Sequence, residues 1–194
     1  NLDSIIALHG KNPDDIRIIV GLDIAKNVFQ VHAVDLDTGE LITKAIKRVQ
    51  LKEFFANMST ALIGIEACGS SQYWARELTQ LGHVVRLLHP KSVKAFLQGS
   101  KSDANDAFAI YRAVQSPDIH EVSVKSIELQ SLDSLRVLRA GAVKEQTAAI
   151  NRFRMILNEY GQVIQKSKKS LQLLITTTQE EKLGLNYQIY HYII

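Results

Sequence analysis

Arg17-Ile18-Ile19-Val20-Gly21-Leu22-Asp23 is a short β-branched run that closes on an acid. A run of this length and composition is a buried strand. Downstream, Val28, Gln30 and His32 alternate with Phe29, Val31 and Ala33, a second strand. Asp37-Thr38-Gly39-Glu40 is a hairpin turn in which Gly39 supplies the left-handed backbone, and residues 41–46 return as a third strand. A short helix at 51–58 leads to ALIGIE (61–66), another apolar strand. Gly69-Ser70-Ser71 follows, with a serine placed to cap a helix over 72–81. Gly82 ends that helix, HVVRLL (83–88) is a fifth strand, and a basic loop runs from His89 to Ser102 with a helical patch near 93–97. A final helix over 103–114 stops at Ser116-Pro117.

Three meandering strands followed by strand–helix alternation imply a mixed sheet flanked by helices. This is the element order of a ribonuclease H-like core, expected over residues 17–125. Residues 1–16 have weak periodicity and end in the turn signal Asn12-Pro13-Asp14-Asp15, so they read as a lead-in arm. From Ile127 to Tyr160 apolar residues recur mostly three or four apart (Leu132, Leu135, Leu138, Ala142, Ala149, Phe153, Ile156) without proline. This is one helix of ~50 Å, or two, within a basic arm over 126–170. Its narrow stripe suits a coiled-coil partner or an arm packed against the core, and a homo-oligomer through this arm is expected. Residues 171–194 carry no assignable pattern.

The net charge of +3 hides an uneven distribution. Residues 1–133 hold 14 Lys/Arg against 16 Asp/Glu, a balance of −2, whereas residues 134–170 hold eight against two, a balance of +6. The stretch from Leu78 to Ser102 is free of acids and carries Arg86, Lys91, Lys94 and Lys101. Basic surface beside an acidic domain points to a polyanion, and a solvated helix face is the ordinary alternative. Lys91, Lys94, Lys101, Arg136, Arg139, Arg152, Arg154, Lys168 and Lys169 are the candidate nucleic-acid contacts. A single cysteine, Cys68, excludes an internal disulfide and a multi-cysteine zinc site. No apolar run approaches the ~20 residues of a membrane span and no secretory signal is visible, so a cytoplasmic location is expected.

Four acids sit where metal chemistry would want them. Asp23 ends the first strand, Glu66 ends the fourth, and Asp103 and Asp106 lie three apart at a helix start, on one side of it. If the first and fourth strands are neighbours, Asp23 and Glu66 meet there, with the helix from Asp103 crossing their ends. Mg²⁺ prefers hard oxygen ligands, and two ions ~3.5–4 Å apart serve both the attacking and the leaving oxygen of phosphoryl transfer. Each acid has an ordinary explanation too: Asp103 and Asp106 suit a helix N-terminus, and Asp23 suits a turn. Glu66, closing an apolar run, has no obvious structural purpose.

VGLDIAK (20–26), IGIEACGSS (63–71) and KSDANDAFAI (101–110) resemble the signature blocks of the DEDD transposases, an insertion-sequence family that includes the pilin-gene invertases. HPKSVKAF (89–96) is similar to the family as well, and the likeness spans about 18–160. The resemblance implies a domain like the RuvC-type Holliday-junction resolvases. Asp23, Glu66, Asp103 and Asp106 then fall on its four acidic positions, holding Mg²⁺ or Mn²⁺ in a two-ion site for DNA strand cleavage and transfer. It also implies DNA and a structured non-coding RNA as partners. Full-length members continue into a domain with a nucleophilic serine in a glycine-rich context. Nothing after Leu171 resembles it, and Ser167 and Ser170 stand among lysines. The isolated chain is therefore expected to be inactive alone. A non-catalytic nucleic-acid-binding or dimerisation remnant is the alternative. An actin-like or sugar-kinase ATPase lobe fits poorly, because Ala25-Lys26-Asn27 replaces the expected phosphate hairpin.

Overall fold

The computed structural model describes residues 2–98, 103–161 and 163. The chain divides into two compact units, residues 1–126 and 127–194. The first is a mixed α/β unit built on five strands: β1 (Ile18–Asp23), β2 (Val28–Asp35), β3 (Leu41–Lys47), β4 (Ala61–Glu66) and β5 (Val84–Leu88). Their order in the sheet is β3-β2-β1-β4-β5. β1–β2 and β2–β3 are antiparallel, while β1–β4 and β4–β5 are parallel. β1 and β4, expected as neighbours, thus run side by side and end together, with Leu22 beside Ile65.

The antiparallel strands need only tight turns. In the first of these, the Asp35 carboxylate accepts from the Asp37 and Thr38 amides, and Gly39 takes φ +71°. The parallel strands need helical crossovers, supplied by α2 (Leu51–Ala56) and α3 (Ser71–Gln80). Strands buried on both faces read as unbroken apolar runs. That explains IIVGLD and ALIGIE, whose residues 19–22 and 61–65 are all buried. One face packs Leu22, Phe29, Val31, Ile63 and Ile65 against Phe55, Trp74 and Leu78 of α2 and α3. The other packs Ile19 and Leu62 against Ile110, Ala113 and Val114 of α5 (Asp103–Val114).

α5 lies unusually close to the sheet. A Cβ on Gly21 would collide with the Ala107 carbonyl oxygen and the Tyr111 amide nitrogen, and would sit 2.8 Å from the Tyr111 Cα. One on Gly64 would meet the Val114 Cβ at 2.7 Å. Glycine inside a strand often marks such an approach of another backbone. The far end of α5 is held by Arg86, a buried cation in the middle of β5. Its guanidinium donates to the Val114 and Ser116 carbonyls and pairs with Glu121 at 2.7 Å. The Glu121 segment also bridges to Leu88, covering the outer edge of β5.

Three expectations change. Residues 1–16 are not a free arm: α1 (Leu2–Leu8) buries Ile5 and Ile6 in the α5-side core with Ile16 and Ile19. Ser70 takes the N-cap position of α3 at φ 68°, but its side chain makes no cap bond; Ser71 Oγ instead bonds the Cys68 backbone. The patch near 93–97 is a single turn, α4 (Pro90–Val93), followed by a 3₁₀ turn. In the second unit, α6 (Ile127–Glu159) is one continuous helix of 33 residues. Its Leu132, Leu135 and Leu138 are 56%, 62% and 69% exposed. Residues 164–194, including Lys168 and Lys169, lie outside the described residues, as does Lys101. Among the described residues no helix is long and apolar enough to cross a membrane.

Candidate metal centre

The parallel pairing of β1 and β4 brings the carboxyl ends of both strands to one edge of the sheet. In sheets of this kind ligand sites form at the carboxyl ends of the parallel strands. Residues of one strand alternate faces, so Ile19, Gly21 and Asp23 share the α5 side with Leu62, Gly64 and Glu66. α5 begins at Asp103 above that edge, and the glycine contacts let its first turn come close to the strand ends.

Asp23, Asp103 and Asp106 each offer a carboxylate oxygen, and these three oxygens lie within 4.8 Å of one another. Asp23 and Asp106 are half-buried and Asp103 is exposed. Glu66, also half-buried, stands outside this tight trio but within electrostatic reach of Asp23 and Asp106. The energetic signature is plain at Asp23, whose pKa is pushed from 3.8 to about 6. Burial is the largest cause, followed by the charges of Asp106, Asp103 and Glu66; a bond from the Ile24 backbone works the other way. Glu66 is raised by burial and by Asp106, against the pull of Lys94. Against this crowding stand the Ile24 backbone bond at Asp23 and the charge of Lys94 at Glu66. A divalent cation fits that donor set: hard oxygens, converging, in excess of negative charge.

The candidate nucleic-acid residues divide between the units. Lys91 and Lys94 are exposed on and just after α4, and Lys94 is the cation that Glu66 feels. Arg136, Arg139 and Arg152 are exposed on α6, Arg136 at 3.6 Å from Asp133, and Arg154 is half-buried there. The exposed residue Cys68 also feels the cluster: partial burial of its thiol, then Glu66 and Asp23, raise its pKa. Its place at the rim of the acid cluster was not legible from a lone cysteine. Two cavities, of about 580 Å³ between β3 and α2 and about 700 Å³ near His9, Arg76 and Glu121, include none of the acids.

Fold and site define a mixed α/β protein with a carboxylate centre at the strand ends. Residues 20–162 match the sequence model of the IS110-type DEDD transposases. The chain is 41% identical over 159 residues to a probable family 20 transposase of Pseudomonas aeruginosa, covering 82% of this chain and 47% of that protein. It is 35% identical over 167 residues to the transposase for insertion sequence element IS1111A of Coxiella burnetii (86% and 45%). It is 30% identical over 165 residues to the transposase for IS1328 of Yersinia enterocolitica (85% and 49%). No solved structure matches it. The chain belongs to the IS110-type DEDD transposase family, and it spans a little under half the length of the curated relatives it matches.

Proposed function

We propose that this chain is the ribonuclease H-like, metal-dependent half of a DNA transposase, with Asp23, Glu66, Asp103 and Asp106 as its catalytic and metal-holding residues. The observation that carries this is the Asp23–Asp103–Asp106 trio within 4.8 Å, with Asp23 raised to about 6 by burial and by the charges of Asp106, Asp103 and Glu66. The strand order β3-β2-β1-β4-β5, antiparallel on one side and parallel on the other, supports the ribonuclease H-like reading.

Mg²⁺ or Mn²⁺, bound singly or as a pair, would supply Lewis acidity to a phosphodiester and lower the pKa of an attacking hydroxyl or water. The chain's own part is positioning. Asp23 and Glu66 are fixed by strands buried on both faces, so their backbone has little freedom. Asp103 and Asp106 ride on a helix anchored at its other end by Arg86. Because carboxylates repel phosphates, a DNA backbone must be held by cations nearby. Lys91 and Lys94 are such cations in the first unit, and Lys101, Arg136, Arg139, Arg152, Arg154, Lys168 and Lys169 are further candidates for nucleic-acid contact. The arm's exposed leucines suit self-association, and its basic face suits a structured RNA as well as DNA. This chain is expected to bind metal and nucleic acid.

The test is calorimetric titration of Mn²⁺ and Mg²⁺ into the wild-type chain and into Asp23→Asn and Asp106→Asn. Binding by the wild type, weakened at least tenfold in both variants, is expected. No metal affinity in the wild type overturns the catalytic reading and leaves a nucleic-acid-binding or dimerisation role.

A further inference from the structure

The sheet edge that carries the acids also carries a second group of charges on its other flank. The β1–β2 turn contains Lys26, and Lys47 ends β3 directly beside Val28 of β2. The Arg48 amide donates to the Asn27 carbonyl at 2.8 Å, which ties the end of β3 to that turn. The backbones of Lys26, Lys47 and Arg48 therefore meet at this edge: Lys47 follows the inward Ile46 and so faces the α5 side, as Asp23 does, while the Arg48 guanidinium lies on the α3 side. Lys26 and Lys47 are exposed and Arg48 is half-buried.

Arg48 is held without being neutralised. Its guanidinium lies 5.7 Å from the centre of the Phe29 ring and 5.4 Å from that of Trp74. Stacking on aromatic faces fixes a guanidinium in place and leaves its N–H groups available to an anion. Among the described residues none of the three cations has a carboxylate within salt-bridge distance, although Arg17, Lys52, Arg86 and Arg136 of the same chain each do. Three cations along one edge with no acid paired to them among the described residues, one of them pre-oriented on two rings, are suited to the phosphates of a strand that runs along that edge.

Register sets the spacing. Asp23 lies opposite Gln30, and Val28, two residues along β2, lies opposite Lys47. Two strand separations and two residues of rise put Lys47 roughly 12 Å from Asp23 along the edge. On the opposite flank Lys94 is already close enough to act on Glu66. The carboxylates thus sit between two cationic banks, a small one at Lys94 and Lys91 and a pre-formed one at Lys26, Lys47 and Arg48.

From this juxtaposition we infer that Lys26, Lys47 and Arg48 form a phosphate-binding bank that holds one DNA strand beside the carboxylate centre, so that the strand crosses the carboxyl edge of the sheet from Arg48 to Lys94. This rests on the DNA-processing reading given above. The bank's role is to resist the repulsion that the acids exert on the same strand's backbone. It is sequence-tolerant, because it touches phosphates and not base edges.

The experiment uses the full chain and a fluorescein-labelled single-stranded DNA oligonucleotide, with anisotropy titrations at several salt concentrations in Ca²⁺. Each phosphate contact contributes a slope of about 0.7 in log affinity against log salt on single strands. Lys26→Gln/Lys47→Gln/Arg48→Gln should flatten the slope by about 2 and weaken binding roughly a hundredfold at ~0.1 M salt. Because Arg48 packs on Phe29 and Trp74, Lys26→Gln/Lys47→Gln is made as well; it leaves the stacking intact and should flatten the slope by about 1.4. Lys11→Gln/Lys44→Gln removes two exposed charges elsewhere and should change neither quantity. Wild-type binding with an unaltered slope in the folded double variant overturns the bank while leaving the DNA reading standing. An equal loss in the Lys11/Lys44 control also overturns it, because the effect is then net charge alone. No binding by the wild type at low salt overturns the bank and the DNA reading together.

Discussion

Asp23→Asn should make the metal-free protein more stable, and by an amount the structure bounds. An acid whose folded pKa lies above its unfolded value prefers the native state when protonated. Its favourable contribution is therefore complete below about 3.8 and is lost as pH rises through about 6. A displacement of about two units corresponds to about 3 kcal/mol at most. Asp23 is only half-buried, so solvent screening reduces this to about 1–2 kcal/mol. Asparagine keeps the shape and removes the charge that burial and the other three carboxylates oppose. For a chain of this size the gain is roughly 2–8 °C in melting temperature. The assay is thermal unfolding by circular dichroism in EDTA at pH 7.5 and again at pH 4.5. The variant should melt higher at pH 7.5, and the difference should shrink towards zero at pH 4.5, where the wild-type carboxyl is already protonated. Adding Mg²⁺ at about 100 times its Kd should stabilise the wild type by ~2.7 kcal/mol and the variant far less. A variant that melts at or below the wild type in EDTA at pH 7.5 would refute the claim that these carboxylates strain one another.

Gly21→Ala should destabilise the first unit by more than about 3 kcal/mol, because its Cβ meets backbone atoms of α5 that have nowhere to go; Gly64→Ala, which meets the Val114 side chain, should cost less, and urea unfolding of the two variants ranks them. Arg86→Ala should cost about 3–5 kcal/mol by the same measurement, since it leaves the Val114 carbonyl without its partner and Glu121 without its cation. Replacing Leu132, Leu135 and Leu138 together with serine should abolish concentration-dependent association in analytical ultracentrifugation while leaving the far-ultraviolet helical signal largely unchanged. A wild-type chain that stays monomeric at high concentration contradicts the self-association.

Much of the first unit was legible because its signals are local. IIVGLD and ALIGIE are apolar runs that end in acids, and that pattern alone put Asp23 and Glu66 at strand ends. Gly39 marked its turn, and the spacing of Asp103 and Asp106 put them on one side of a helix. What escaped depends on partners distant in sequence. Arg86 reads as an anomaly in HVVRLL until Glu121, 35 residues away, supplies its counter-charge. α1 is seven residues with weak periodicity, and only the sheet's open face makes Ile5 and Ile6 worth burying. Gly21 and Gly64 carry no chemistry of their own, so their role became visible only with α5 lying across them. Lys26 carries no signal by itself, because the residues whose backbones lie beside it, Lys47 and Arg48, come from the far side of a hairpin.

The contact of α5 with Gly21 and Gly64 also fixes a length scale. Where a helix rests on a sheet through bulky side chains, a swap of leucine for methionine or valine can move the two layers by fractions of an ångström. Here the separation under the start of α5 is set by main chain against main chain, at the Ala107 carbonyl and the Tyr111 backbone. The gap between the strand-borne acids and the helix-borne acids is therefore a hard stop and not an average over packed side chains. Drift in the surrounding core can proceed without retuning that gap, so the sequence around the site is free to diverge while the spacing its chemistry needs stays put.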